Sequence, residues 1–99
     1  MAKPEWWNDE GLKALSAMVV RAAPNNVVAN QMRAMVLRGQ TSAWVVGLRS
    51  SAELMEAATH YERAAALCNA PAVKAQFATF ADSCRRQAEY IFALRYRAV

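Results

Sequence analysis

The chain contains 99 residues, of which 56% are hydrophobic, and it carries a formal net charge of +4. This length suits one small domain with a single core, and the high apolar content excludes an intrinsically disordered chain. No apolar run approaches the roughly 20 residues of a membrane-spanning helix, and no secretory signal is visible at the start. With only three Gly and three Pro, the composition favours helix and predicts an all-α fold.

The first predicted helix begins after Asn8 or Asp9, since either side chain can cap a helix and acidic residues suit its N-terminal end. Pro24 ends it. At the other end of this helix, Trp6 and Trp7 precede the cap. One of them is expected to fold back on the first turn as a hydrophobic staple. The apolar stripe of this helix comprises Leu12, Leu15, Val19 and Ala22, with Met18 beside it.

The second predicted helix spans about residues 26–38. Asn25 or Asn26 caps it, and Gly39 suits the left-handed position that ends a helix. Its predicted buried face consists of Val28, Gln31, Met32, Met35 and Val36.

Residues 40–49 leave two interpretations open. Thr41 or Ser42 can cap a short helix around Trp44, with Gly47 as its end, or the segment forms an ordered loop. A strand at Trp44 would have no partner to pair with.

The third helix has the clearest predicted start, because Ser50 and Glu53 form the pattern of a capping box. Its apolar stripe is Leu54, Ala57, Ala58, Tyr61, Ala64, Ala65 and Cys68. Pro71 suits the first turn of a fourth helix over residues 71–97, which at ~1.5 Å per residue is ~40 Å long and can overhang its neighbours. Its stripe is Val73, Phe77, Phe80, Cys84, Ala88 and Ile91, so Tyr61 and Phe77 are expected to pack between helices three and four.

The two cysteines predict a reducing environment. Cys68 lies near the turn before Pro71, and Cys84 lies more than three turns into the next helix, roughly 20 Å away by helical rise. A disulfide needs Cα atoms within about 7 Å. Both are therefore interpreted as small core residues of an intracellular, cytoplasmic protein.

Residues 24–71 resemble a tetratricopeptide repeat, a pair of antiparallel helices that binds other proteins. Val28, Gln31, Met32 and Met35 take the aromatic, Leu-Gly and Tyr positions of the first helix, and Ala57, Tyr61 and Ala64 match the second, with Pro71 as the closing Pro. The connection between the two helices is longer than the family pattern has, which implies an insertion at residues 40–50. Residues 43–68 are also similar to a stretch of helical-repeat proteins from marine algae.

The resemblance implies about one and a half repeats, preceded by an N-terminal extension (1–8) and closed by a terminal helix (71–97) that caps a single domain. Arrays usually need about three repeats to be stable. A homodimer, or a place in a larger assembly, is therefore expected.

The resemblance also implies a peptide groove, which in some members holds a terminal carboxylate with Asn, Lys and Arg. The positions carried over are Asn26, Asn30, Arg33 and Lys74. Arg33 is expected to project into solvent and to act as the main anchor, because a guanidinium can grip a carboxylate with two parallel hydrogen bonds.

A basic, aromatic surface on the last helix supports a different class of function. Arg85, Arg86, Arg95 and Arg97 lie near Tyr90 and Tyr96, and such a surface can contact RNA phosphates while tyrosines stack on bases. Cations at a helix C-terminus are also favourable without any ligand.

Catalytic and metal-binding patterns are not found in the sequence. His60 is the single histidine, and no phosphate loop, paired histidines or zinc spacing accompanies it. The sequence predicts a noncatalytic adaptor or scaffold, without cofactor or metal, that binds a peptide or protein segment. The alternatives are a structural subunit of an assembly and a basic RNA-contacting protein.

Overall fold

The computed structural model describes residues 3–97 and contains four helices. They are α1 (Asp9–Ala22), α2 (Val27–Arg38), α3 (Ser51–Leu67) and α4 (Pro71–Arg97). No strand occurs in this part of the chain. The all-α prediction is confirmed.

The helix ends follow the predicted local signals. Asn8, Asn26 and Ser50 cap α1, α2 and α3, each accepting a hydrogen bond from a backbone N–H of the first turn. Gly39 ends α2 with φ of 75°, a conformation that glycine adopts without the steric cost of a Cβ. The short range of these signals explains why sequence alone could place the α3 cap at Ser50 and limit the α1 and α2 caps to two residues each.

The helices α2 and α3 run antiparallel, as do α3 and α4, because their contacts occur in reversed order. Asn30 contacts His60, and Arg33, one turn later on α2, contacts Glu56, one turn earlier on α3. On α3 and α4, Tyr61 stacks on Phe77 at a centroid distance of 6.2 Å, while Ser51 and Met55 share a pocket with Ala88 and Phe92. The predicted Tyr61–Phe77 packing is confirmed. That the hairpins form a tetratricopeptide-like repeat stays a prediction.

The core lies on both sides of α3. The buried side chains of α3 are small apart from Leu54 and Tyr61, which lets α2 and α4 approach closely. The main cluster comprises Ala34, Leu37, Ala57, Ala58, Tyr61, Ala64, Ala65, Phe77, Ala81 and Cys84. Cys68 packs against it, and both cysteines are free thiols.

Two residues of the predicted buried face of α2 are exposed in the structure, so that part of the prediction is wrong. Val28 is 69% exposed and Met35 is 49% exposed. The buried residues of α2 are instead Ala29, Asn30, Ala34, Val36 and Leu37. The helix is therefore rotated relative to the prediction, and a polar side chain, Asn30, faces the interior.

Residues 40–49 form an ordered loop, so the short-helix interpretation of Trp44 is wrong. Val45 and Leu48 on this loop are 90% and 99% exposed.

The end of α4 is also exposed, as predicted for an overhanging helix, and includes Tyr90, Phe92, Leu94 and Tyr96. None of the helices in residues 3–97 has the length and apolar character needed to cross a membrane.

Candidate binding groove

The structure does not assemble the predicted groove of Asn26, Asn30, Arg33 and Lys74. The Asn26 side chain caps α2 by accepting from the Ala29 N–H at 2.9 Å. Lys74 is exposed on the first turn of α4. No hydrogen bond or ion pair among residues 3–97 links Lys74 to the other three.

Asn30 is a structural residue. It is fully buried, and its amide nitrogen donates to the Pro24 and Asn26 carbonyl oxygens at 2.9 Å each. Its Oδ1 lies 2.9 Å from His60 Nδ1. Burial, the main effect, lowers the pKa of His60, so this ring is a neutral partner that satisfies Asn30 inside the protein.

The expectation that Arg33 projects into solvent is also wrong. Its side chain is 13% exposed. Nη1 donates to the Lys13 carbonyl oxygen at 2.8 Å and to Ser16 Oγ at 3.1 Å, and Nε donates to Glu56 at 3.1 Å. Arg33 therefore connects α1, α2 and α3 and is not available as a ligand anchor.

The predicted basic surface of α4 is only partly free. Arg85 pairs with Glu62 on α3 and with Asp82. Arg86, Arg95 and Arg97 are exposed. Within residues 3–97, no feature beyond their exposure relates these arginines to a nucleic acid.

An apolar groove instead lies between α1, α2 and the loop, with a volume of about 300 Å³. Its lining is almost entirely apolar and includes two tryptophans and two methionines. The groove residues are Trp7, Leu12, Leu15, Val28, Gln31, Met32, Met35, Val36 and Trp44.

The rotation of α2 creates this groove. Asn30 and Arg33 turn towards α1 and α3, where each has polar partners, so the apolar side chains on the opposite side of α2 remain at the surface. Val28 and Met35 thus line the groove although the sequence pattern is that of a core face. Trp7, next to the Asn8 cap, lies in the same groove as Leu12, which agrees with the predicted staple.

A buried ion pair holds the wall of the groove. Arg49 donates to Asp9 through Nη1 at 2.7 Å and Nη2 at 2.6 Å, and their side chains are 5% and 15% exposed. Asp9 also accepts from Trp44 Nε1 and from the Gly47 N–H at 3.1 Å each. These bonds, led by those from Arg49, hold the pKa of the Asp9 carboxyl well below its usual range, and they fix Trp44 beside Trp7.

Arg49 also fastens the loop to α2. Its Nε and Nη2 donate to the Leu37 and Val36 carbonyl oxygens at 3.0 and 2.8 Å. The carbonyls at a helix end lack partners within the helix. One arginine therefore satisfies the end of α2 and anchors the loop to the start of α1.

A second, more polar pocket of about 220 Å³ continues from the groove and shares Gln31, Met35 and Trp44 with it. We call it the Arg38 pocket. Its lining is Gln31, Met35, Arg38, Gln40, Thr41, Trp44, Tyr61 and Phe80. Burial, the main effect, raises the pKa of the Tyr61 hydroxyl, and the neighbouring Arg38 cation partly opposes this.

Residues 3–97 contain no cluster of three or more His, Cys, Asp or Glu side chains that could hold a metal ion. No protein-family model matches the chain, and neither the curated proteins nor the solved structures include a significantly similar one.

Proposed function

We propose that the chain is a noncatalytic interaction module that binds an apolar protein segment in the apolar groove. The observation that carries this proposal is the open groove itself, whose almost purely apolar lining includes two tryptophans. Contiguous apolar surface of this kind is typical of interaction sites. The function class expected from the sequence, an adaptor or scaffold, is kept, while the proposed site moves from Arg33 to the groove.

The composition of the groove suits a protein segment. Methionine side chains such as Met32 and Met35 adapt to different partner shapes, and tryptophan supplies large contact area from a stiff side chain. Met35 is half exposed and Val28 more so, so both can be covered by a partner. An amphipathic helix laid into a hydrophobic groove is the recognition mode that this arrangement fits best.

The proposal retains the tetratricopeptide-like relationship for α3, where Ala57, Tyr61 and Ala64 are buried as that pattern requires. The exposure of Val28 and Met35 does not support it for α2. We also propose an intracellular, reducing location, because Cys68 and Cys84 are free thiols.

A structural role in an assembly is the second candidate. The exposed end of α4 favours it, since Phe92 and Tyr96 contact each other at 5.6 Å between ring centroids yet are 58% and 75% exposed. A partner that covers this end would remove apolar surface from water.

The test is selection of binders from a random-peptide display library, followed by affinity measurement on groove variants. Val28→Glu places a charge in the groove. It should lower the affinity for the selected peptides by more than about tenfold, or 1.4 kcal/mol. The fold should persist, because Val28 is exposed and glutamate is favourable in the first turn of a helix.

Val73→Glu is the matched control. Val73 is also an exposed apolar residue in a first turn, on α4 and outside the groove, so this change should leave the affinity unaltered. Equal affinities for both variants and the wild type would show that the groove is not the binding site.

A further inference from the structure

Arg38 is the one cation that lines the groove or the adjoining Arg38 pocket. Its guanidinium carbon lies 5.0 Å from the centroid of the Phe80 ring. This contact holds the charged group in one place through a cation–π interaction. The position of the charge is thus set before any partner arrives.

The charge of Arg38 has no acidic partner within the described chain. The ion pairs of residues 3–97 use Lys13, Arg33, Arg49 and Arg85 as their cations. Arg38 Nε is buried and has no hydrogen-bond acceptor among these residues. Nε itself is closed to solvent, so an acceptor from outside would bond to the terminal nitrogens of this partly exposed residue.

The surroundings of Arg38 are complementary to a carboxylate. No aspartate or glutamate lines either the groove or the Arg38 pocket. The pocket also offers Gln31, Gln40 and Thr41, whose amide and hydroxyl groups can bond to the backbone of a bound chain. Because the pocket and the groove share Met35 and Trp44, one continuous segment can occupy both.

We propose that the partner segment carries an acidic side chain, Asp or Glu, next to its apolar residues, and that Arg38 binds this carboxylate. The inference rests on the proposed function and specifies the chemistry of its partner. The apolar side chains fill the groove, and the carboxylate lies in the Arg38 pocket. A guanidinium can give two parallel N–H···O bonds to a carboxylate, which fixes the direction in which the segment lies.

The direction of the segment follows from the layout of the site. The apolar groove extends from the shared residues towards Val28 at the start of α2, and the Arg38 pocket lies at its end. The acidic residue therefore belongs at one end of the apolar stretch, and acid placed at the opposite end should not substitute for it.

The experiment compares peptides that the wild-type chain selects from the display library. Each selected peptide is synthesised with its acidic residue and with the isosteric amide, Glu to Gln or Asp to Asn. Loss of the acid should weaken binding to the wild type by about tenfold. The comparison needs no change in the protein, so it remains valid whatever a variant does to folding.

The protein-side variant is Arg38→Gln, with Arg86→Gln as its matched control. Arg86 is an exposed arginine on α4 outside the groove, so the control removes the same charge elsewhere. In Arg38→Gln the acidic peptide and its amide should bind equally. In Arg86→Gln the roughly tenfold preference for the acid should remain.

The possible results separate the two proposals. Selected peptides without acidic residues, or an acid preference that survives in Arg38→Gln, would overturn the inference while leaving groove binding intact. Peptides whose binding is unaffected by Val28→Glu, or a library that yields no binder, would overturn the proposed function itself.

Discussion

Arg33, Arg38 and Arg49 share one type of side chain but have different surroundings. Arg49 lies in a buried pair with Asp9, Arg33 bonds to groups on α1 and α3, and Arg38 has no acidic partner among the described residues. Removing one member of a buried pair leaves the other charge without compensation. The three arginines should therefore respond differently to substitution.

Arg33→Ala should lower the free energy of unfolding by about 1–3 kcal/mol, because hydrogen bonds of a charged group are lost and buried acceptors remain. Urea unfolding would measure it. Arg63→Ala, an exposed arginine on α3, should change the stability by less than about 0.5 kcal/mol. Equal stability of Arg33→Ala and the wild type would contradict the structural role of Arg33.

Asp9 should make the free energy of unfolding decrease at acidic pH. Its pKa in the folded protein lies below the ordinary value of 3.8, chiefly because Arg49 donates to it. Near and below that value the unfolded chain takes up a proton that the folded chain resists, so the contribution is complete only above about pH 5 and is lost progressively as the pH falls.

Asp9→Asn should therefore flatten the decline in stability below pH 4 and lower the stability at neutral pH, since it leaves the Arg49 charge without its carboxylate. Unfolding by urea at several pH values would measure both effects. Glu5→Gln, which changes an exposed acid near the same helix end, is the control. A variant with the acid dependence of the wild type would show that another carboxylate governs it.

At the scale of the helices, α3 has the most complete local signal. Ser50 Oγ accepts from the Glu53 N–H at 3.1 Å, and Glu53 Oε1 accepts from the Ser50 N–H at 3.0 Å. This reciprocal arrangement is the capping box that the sequence predicted. It depends on residues three apart, and no distant contact is needed to specify it.

Ser50→Ala should destabilise the protein by about 1 kcal/mol through loss of the cap. Ser51→Ala is the control, because Ser51 is the first residue inside the helix and makes no capping bond. Thermal unfolding of both variants would give the comparison. A larger effect at Ser51 would contradict the assignment of the cap.

The α2 helix shows why an apolar pattern can predict a helix correctly and still predict the wrong buried face. The apolar residues at helical spacing correctly predicted a helix, but they predicted burial of Val28 and Met35, which are exposed. Asn30 and Arg33 are buried because His60, Ser16 and Glu56, from other helices, satisfy them. Sequence spacing within α2 contains no information on those partners.

At the scale of the whole molecule, α3 is the central element. It packs against α2 on one side and α4 on the other, whereas α1 packs mainly on α2. The last part of α4, from Phe92 to Arg97, is exposed. Regions with few buried contacts open first.

Hydrogen exchange should therefore be slowest for amides in the middle of α3, around Ala57 to Ala64, and fastest in the last turns of α4. Exchange measured by mass spectrometry on peptide fragments would test this order. Equal protection of α1 and α3 would contradict a structure centred on α3.

The sequence by itself determined the four helices, the cap at Ser50, the left-handed Gly39 and the Tyr61–Phe77 contact, because these depend on short-range chemistry and on clear stripes. It also limited the caps of α1 and α2 to two residues each, of which the structure uses Asn8 and Asn26. The tertiary structure decided the site. It buried Asn30 and Arg33, paired Asp9 with Arg49 across 40 positions of the chain, and left the apolar side of α2 open beside Trp7 and Trp44. Such long-range pairings decide which of two possible faces is buried, since a polar side chain can enter the interior only where distant partners satisfy it.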